Sequence, residues 1–406
     1  MHRSNGVSIW HEVLTMRKLG GADGPTTVLY TFSQPTVDDL RDRLALTRWP
    51  DEVADSHREY GFDLRSLQEI CGYWRDGFDW KAQVKRLSTF HHYRYTSEGI
   101  GIHFIHERGK GPAPMPLILT HGWPGSFVEM LRIIPLLTDP AMHGGDSSDS
   151  FDVVVPSLPG YGFSDRPARR GMNTFRIAEL WAGLMSELGY GPFAAQGGDI
   201  GAGVSTILGL RHAQRMIGIH LNYIPGSYRP HVESGTQLAP VEEEFLKDAA
   251  RWYEQSGAYA HIQRTHPQTA AYGLNDSPAG LAAWILEKFR DWSDCDADLY
   301  RRFTRDELLT NVTLYWMTET IHSSCRLYYE GGRAPLHFRK DDFVRVPCAI
   351  ARFPKEEPFP PREWIERGYN LQHWAAMARG GHFAAAEEPE LLAEDIRAFF
   401  RHFRKS

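Results

Sequence analysis

The stretch Gln196-Gly197-Gly198-Asp199-Ile200-Gly201-Ala202-Gly203 constrains the fold more than any other part of the chain. It follows an apolar run, Gly191 to Ala195, and precedes Val204-Ser205-Thr206-Ile207-Leu208, where Val204, Ile207 and Leu208 keep helical spacing. The pattern reads as strand, sharp turn and helix. Glycines at 197, 198, 201 and 203 permit a strained turn and close helix packing that larger side chains would obstruct. Asp199 then stands at a helix N-terminus, where a carboxylate is favoured. A glycine-rich turn with a capping aspartate would read the same way, so partners elsewhere in the chain must decide.

The surrounding pattern supplies a frame. Ile100 to Glu107 alternates as a strand, and Pro116 to Thr120 is a short buried strand running into His121-Gly122-Trp123-Pro124-Gly125-Ser126. A helix with Val128, Leu131, Ile134 and Leu136 on its apolar side is expected next. Phe151 to Val155 and Met216 to Leu221 read as further strands, with a helix over Ile177 to Leu188 between them. Such alternation predicts a mostly parallel sheet with helices on both faces. It stops near Pro225, residues 226–334 read as mostly helical, and strands return at Val344 to Phe353 and His373 to Met377. The fold class is therefore α/β: one core, formed by residues 96–225 and 335–406, interrupted by a helical cap at 226–334. Upstream, short helices are expected from Thr36, as its cap, to Leu46 and from Asp63 to Tyr73, whereas residues 1–34 read as a weakly structured extension.

Composition narrows the function. A net charge of -6 gives no electrostatic footprint for nucleic acid or an anionic membrane. No apolar run approaches the ~20 residues needed to span a bilayer, so a soluble, cytoplasmic protein is expected. Cys71, Cys295, Cys325 and Cys348 are scattered and read as reduced thiols. His103 and His106 lie three apart on a strand and face opposite sides, which is no metal-ligand set. Gly198 to Gly203 lacks the spacing of a phosphate-binding loop. Neither a metal nor a cofactor is expected.

The elbow matches that of the α/β-hydrolases, G-x-S-x-G, with an acid where serine usually sits. Serine displacing at saturated carbon would leave an ether, which water cannot readily cleave; aspartate leaves an ester, which it can. Asp199 therefore points to substrates with an electrophilic sp³ carbon, such as epoxides or alkyl halides. His382, in Arg379-Gly380-Gly381-His382-Phe383-Ala384, follows the last expected strand and is the candidate base. Glu356 or Glu357, with Glu356 favoured, would orient it, in the chain order nucleophile, acid, base. The N–H groups of Trp123 and Ile200 are the candidate oxyanion-hole donors, since Pro124 has no N–H.

The motifs His121-Gly122-Trp123-Pro124-Gly125-Ser126, Gln196-Gly197-Gly198-Asp199, Gly380-Gly381-His382-Phe383-Ala384-Ala385 and Trp74-Arg75-Asp76-Gly77-Phe78-Asp79-Trp80 together resemble the microsomal-type branch of the epoxide hydrolase family, over roughly residues 35–406. The resemblance implies an N-terminal meander, residues 35–95, wrapping core and cap. It also implies two cap tyrosines that hydrogen-bond and protonate the epoxide oxygen. Their roles map onto Tyr259 and Tyr328, with Tyr329 as the neighbouring alternative to the second. Many relatives carry tryptophan after the nucleophile, where this chain has Ile200. Mammalian members place the acid directly after Pro-Cys, where this chain has Pro347-Cys348-Ala349; Phe353-Pro354-Lys355-Glu356 instead resembles fungal relatives. The membrane anchor of the mammalian enzymes has no counterpart, again implying a soluble protein. The expected partners are a small-molecule epoxide and water, and a homodimer stays open. A haloalkane or haloacid dehalogenase, or a non-catalytic ligand-binding protein on this fold, are the rival readings.

Overall fold

The structure, a computed structural model, describes residues 14–18, 26–29, 32–56 and 59–404. Ten strands form one sheet: β1 (Leu14–Lys18), β2 (Thr26–Leu29), β3 (His92–Ser97), β4 (Ile100–Glu107), β5 (Met115–Thr120), β6 (Phe151–Pro156), β7 (Phe193–Gly197), β8 (Met216–Leu221), β9 (Val344–Arg352) and β10 (Tyr369–Ala376). Their order across the sheet is β1-β2-β3-β4-β6-β5-β7-β8-β9-β10. The first four pair antiparallel, β4 joins β6 antiparallel, and every pair from β6 to β10 is parallel. The parallel strands are buried on both faces, which is why Leu117–Leu119 and Val153–Val155 are continuous apolar runs rather than alternating ones. Helices Thr174–Glu187 and Asp199–Arg211 pack together on one side, and Pro389–Arg401 packs against Ile133–Thr138 on the other. Helix Pro389–Arg401 turns Leu392, Ile396, Phe399 and Phe400 inward.

Six α-helices, from Pro240–Ser256 to Ile321–Gly331, fall between β8 and β9 and form the cap. The helix Arg305–Thr318 binds it to the core: Asn311 Nδ2 donates to the Pro124 carbonyl at 2.9 Å, and the Tyr315 hydroxyl donates to that of Gly125 at 2.7 Å. The upstream helices reach the same cap. Trp74 Nε1 donates to Thr313 Oγ1 at 2.8 Å, and the Tyr73 hydroxyl donates to Asp306 at 2.8 Å. The Trp74–Trp80 stretch is thus packing surface that clasps the cap.

Some elements differ from the sequence reading. Two strands, Leu14–Lys18 and Thr26–Leu29, pair within the stretch expected to be weakly structured; residues 1–13, 19–25, 30 and 31 of that stretch lie outside the described residues. The first helix is Gln34–Ala45 with Ser33 at its N-cap, because Pro35 in the first turn favours an earlier start than Thr36. The single helix expected after Ser126 is split into a 3₁₀ turn, Phe127–Met130, and a helix, Ile133–Thr138. Pro135 accounts for the break: with no N–H it fits the first turn of a new helix but not the interior of a continuous one. Strand β3 has no counterpart in the reading, since its sequence, HYRYTS, shows little apolar alternation.

Candidate active site

Asp199 opens helix Asp199–Arg211 directly after β7, with φ of +45°. For a residue with a Cβ, that left-handed conformation costs roughly 1–2 kcal/mol. The neighbours hold it there. A Cβ at Gly201 would collide with the Thr120 carbonyl oxygen, and one at Gly122 with the Asp199 carboxylate. Both positions are therefore closed to any larger residue while the elbow keeps its shape.

The Trp123 N–H donates to Asp199 Oδ1 at 2.7 Å, and the Ile200 N–H also acts on this carboxylate. Both donors nominated from sequence therefore converge on Asp199. Burial pushes the Asp199 carboxyl above its ordinary value, against the opposing pull of His382 and of those two N–H groups. On the other oxygen, Oδ2 lies 3.8 Å from His382 Nε2. His382 Nδ1 is hydrogen-bonded to Glu356 Oε2 at 2.7 Å. Burial pulls the imidazole down, but Glu356 and Asp199, with a contribution from Glu129, overcome it and push it up to about 9. The resting imidazole thus carries a proton at neutral pH.

Glu356 and Glu357 separate cleanly. Glu356 is buried beneath His382, whereas Glu357 turns outward to pair with Arg352 at 2.8 Å. The tyrosines separate as well. Tyr259 stacks on the Trp123 ring (centroids 5.2 Å apart, 8° between planes), and Tyr328 meets that ring edge-on at 5.7 Å. Each hydroxyl acts on the ionisation of the other. Tyr329 instead lies beneath the Arg333 guanidinium.

Sequence reasoning missed other members of the site. Glu129, in the 3₁₀ turn Phe127–Met130, lines a cavity of about 20 Å³ together with Asp199, His382, Gln196 and Asn222. Such a volume holds about one water molecule. Glu129 Oε1 and Gln196 Oε1 are both buried and accept no hydrogen bond from any group among the described residues. Two unmet acceptors facing one small polar cavity suit a molecule that donates twice. Burial pushes the Glu129 carboxyl up to about 8, opposed by His382 and reinforced by Asp199. Proximity to the His121–Ser126 loop was the available signal, but an exposed turn would show the same residue.

The loop carrying His382 is fastened to the end of cap helix Pro278–Trp292. His382 N–H donates to the Trp292 carbonyl at 2.9 Å, and the Trp292 ring meets the imidazole edge-on at 5.0 Å. Glu387 accepts from Phe383 N–H at 2.9 Å and from Asp294 N–H at 2.7 Å. Both of its oxygens face donors, which a carboxylate satisfies and an amide could not.

A carboxylate on a strand-to-helix elbow, backed by a histidine and an acid from the loops after β9 and β10, defines an α/β-hydrolase with aspartate in the serine position. The comparisons with known proteins agree. A family described as "alpha/beta hydrolase fold" matches residues 115–313, and one described as "Epoxide hydrolase N terminus" matches residues 25–130. Epoxide hydrolase 1 of Sus scrofa is 40% identical, covering 90% of this chain and 86% of its own length. The Aspergillus niger epoxide hydrolase structure superposes with a TM-score of 0.81 at 30% identity, covering 94% of this chain and 97% of that one. The juvenile hormone epoxide hydrolase of Bombyx mori gives 0.80 at 32% identity, covering 94% of each chain. The chain belongs to the epoxide hydrolase family and is an enzyme of that family. Among the described residues, no helix is long and apolar enough to cross a membrane.

Proposed function

We propose that the enzyme converts epoxides to vicinal diols in two steps through an ester on Asp199. In the first, an Asp199 oxygen attacks a ring carbon and the carbon–oxygen bond breaks. The electron pair passes to the epoxide oxygen, which takes a proton from the Tyr259–Tyr328 pair. In the second, His382 removes a proton from water as it attacks the ester carbonyl carbon. The charge developing on the carbonyl oxygen falls to the Trp123 and Ile200 N–H groups. Asp199 is released as the carboxylate, the diol leaves, and His382 is left protonated as it began.

The observation that carries this reading is the two-sided setting of one carboxylate. Oδ1 accepts from the Trp123 N–H at 2.7 Å, and Oδ2 lies 3.8 Å from the imidazole that Glu356 orients. The raised imidazole fits the sequence of steps. Esterification removes the negative charge of Asp199, one of the groups that hold the proton on His382, so after ring opening the imidazolium passes that proton to the tyrosine phenolate and becomes the free base. The cavity shared by Glu129, Gln196 and His382 supplies a place for the attacking water.

Assays with aliphatic and aryl epoxides, and with chloroalkanes in parallel, test the reading. Diol formation without chloride release is expected; chloride release without diol formation would instead establish the dehalogenase reading. Phenylalanine at Tyr259 or Tyr328 is expected to slow ring opening about 10- to 100-fold, and at both about 10³-fold or more, by analogy with loss of oxyanion donors. Rapid-quench measurement of the alkyl-enzyme checks this. An unchanged alkylation rate in the double variant would remove both tyrosines from the chemistry.

A further inference from the structure

Lys288 is buried where a lysine has little reason to be. It lies on cap helix Pro278–Trp292 and is only 7% exposed. Its ammonium sits 4.9 Å from the centroid of the Tyr259 ring and 5.9 Å from that of Trp284, within the range of a cation–π contact. Among the described residues its ion pair is with the adjacent Glu287, at 2.9 Å. Glu287 is the more exposed of the two, so the carboxylate takes the solvent side and the cation the ring side. Burying an ammonium is costly unless something inside makes use of the charge.

The ring beneath it has such a use. When the epoxide oxygen takes the Tyr259 proton, a phenolate is left in a buried site beside Asp199. Burial disfavours that phenolate, as does the charge of Glu356, which outlasts the esterification of Asp199. Among the described groups, the Tyr328 hydroxyl is placed to act on it, and Lys288 offers a positive charge over the ring.

We propose that Lys288 is a positioning residue for ring opening, placing its ammonium over Tyr259 so that the phenolate formed by proton transfer to the epoxide oxygen is electrostatically balanced. The proposal rests on the function given above. The step balances: the proton leaves Tyr259 for the alkoxide, the His382 imidazolium returns a proton to the phenolate once Asp199 is esterified, and His382 recovers its own from the attacking water. The charge, rather than the methylene stem, is what the step requires.

The test is rapid-quench kinetics on the full chain with styrene oxide, separating alkylation from ester hydrolysis. Lys288→Met, which keeps the stem and removes the charge, is expected to slow alkylation about tenfold. It should leave ester hydrolysis within about twofold, which also reports an intact fold. Lys288→Arg should retain alkylation within about threefold. Lys288→Gln is the second neutral variant should the methionine form not fold, with the same loss expected. In a Tyr259→Phe background the neutral substitution should cost nothing further, because the phenolate it balances no longer forms. Alkylation at the wild-type rate in the neutral variants, equal losses for Met and Arg, or the full tenfold loss persisting without the Tyr259 hydroxyl would each overturn the proposal. Failure of the underlying function looks different: the wild type itself would form no alkyl-enzyme, or Tyr259→Phe would alkylate normally.

Discussion

Asp199→Ala is expected to abolish turnover of every epoxide, by about 10⁴-fold or more, the scale seen when a nucleophile is removed from a hydrolase. The argument is geometric. The side chain is held in a left-handed conformation by neighbours that admit no larger residue, and its two oxygens have different partners. No other carboxylate can take its place. Glu129 lines the same cavity, but burial disfavours its charged form, and it lies off the elbow where the Trp123 N–H meets the Asp199 carboxylate. Steady-state diol formation, with thermal unfolding as a check on folding, measures the loss. Activity within a hundredfold of wild type would take the nucleophile's role away from Asp199.

The second large effect is a change in which step limits. His382→Gln is expected to leave ring opening within about tenfold while slowing ester hydrolysis by about 10³-fold, the usual contribution of a general base. The alkyl-enzyme should therefore accumulate and appear in intact mass as enzyme plus one substrate. The pH dependence follows from the same contacts. With its pKa pushed up in the free enzyme and released when Asp199 is esterified, His382 gives the wild-type hydrolysis step a limb that rises with pH. In the glutamine variant that limb is absent. Alkylation should fail at low pH, because Asp199 must be ionised to attack and burial has raised its carboxyl. An adduct that never accumulates, together with near-normal turnover, would contradict the base assignment.

What could be read from the sequence was whatever chemistry confines to a contiguous stretch. The elbow at Asp199, the turn at Trp123 and the loop at His382 each need particular residue types at fixed offsets, because backbone crowding and chain reversal leave few alternatives. Glu356 and Glu357 were not separable on that basis. The choice depends on how the chain leaves β9, where Phe353 is buried and Glu357 swings out to Arg352. Tyr328 and Tyr329 posed the same difficulty on one helix, where neighbouring residues point about 100° apart and only packing against Trp123 selects between them. Glu129 and Lys288 left no local mark. In Glu287-Lys288-Phe289-Arg290-Asp291 the charges look like an ordinary solvated helix face, yet Lys288 is buried against Tyr259 and Trp284 and Arg290 against Phe62. Strand β3 was missed for a related reason: its polar residues find partners inside, as where His92 meets His103 at 2.8 Å.

The covalent route through Asp199 is tested most directly by a single turnover with excess enzyme in ¹⁸O-water. The account predicts unlabelled diol, its new oxygen drawn from the protein, with one ¹⁸O found in the peptide containing Asp199. Diol carrying ¹⁸O in that first turnover, with Asp199 unlabelled, would mean that water attacks the epoxide directly and that no ester forms.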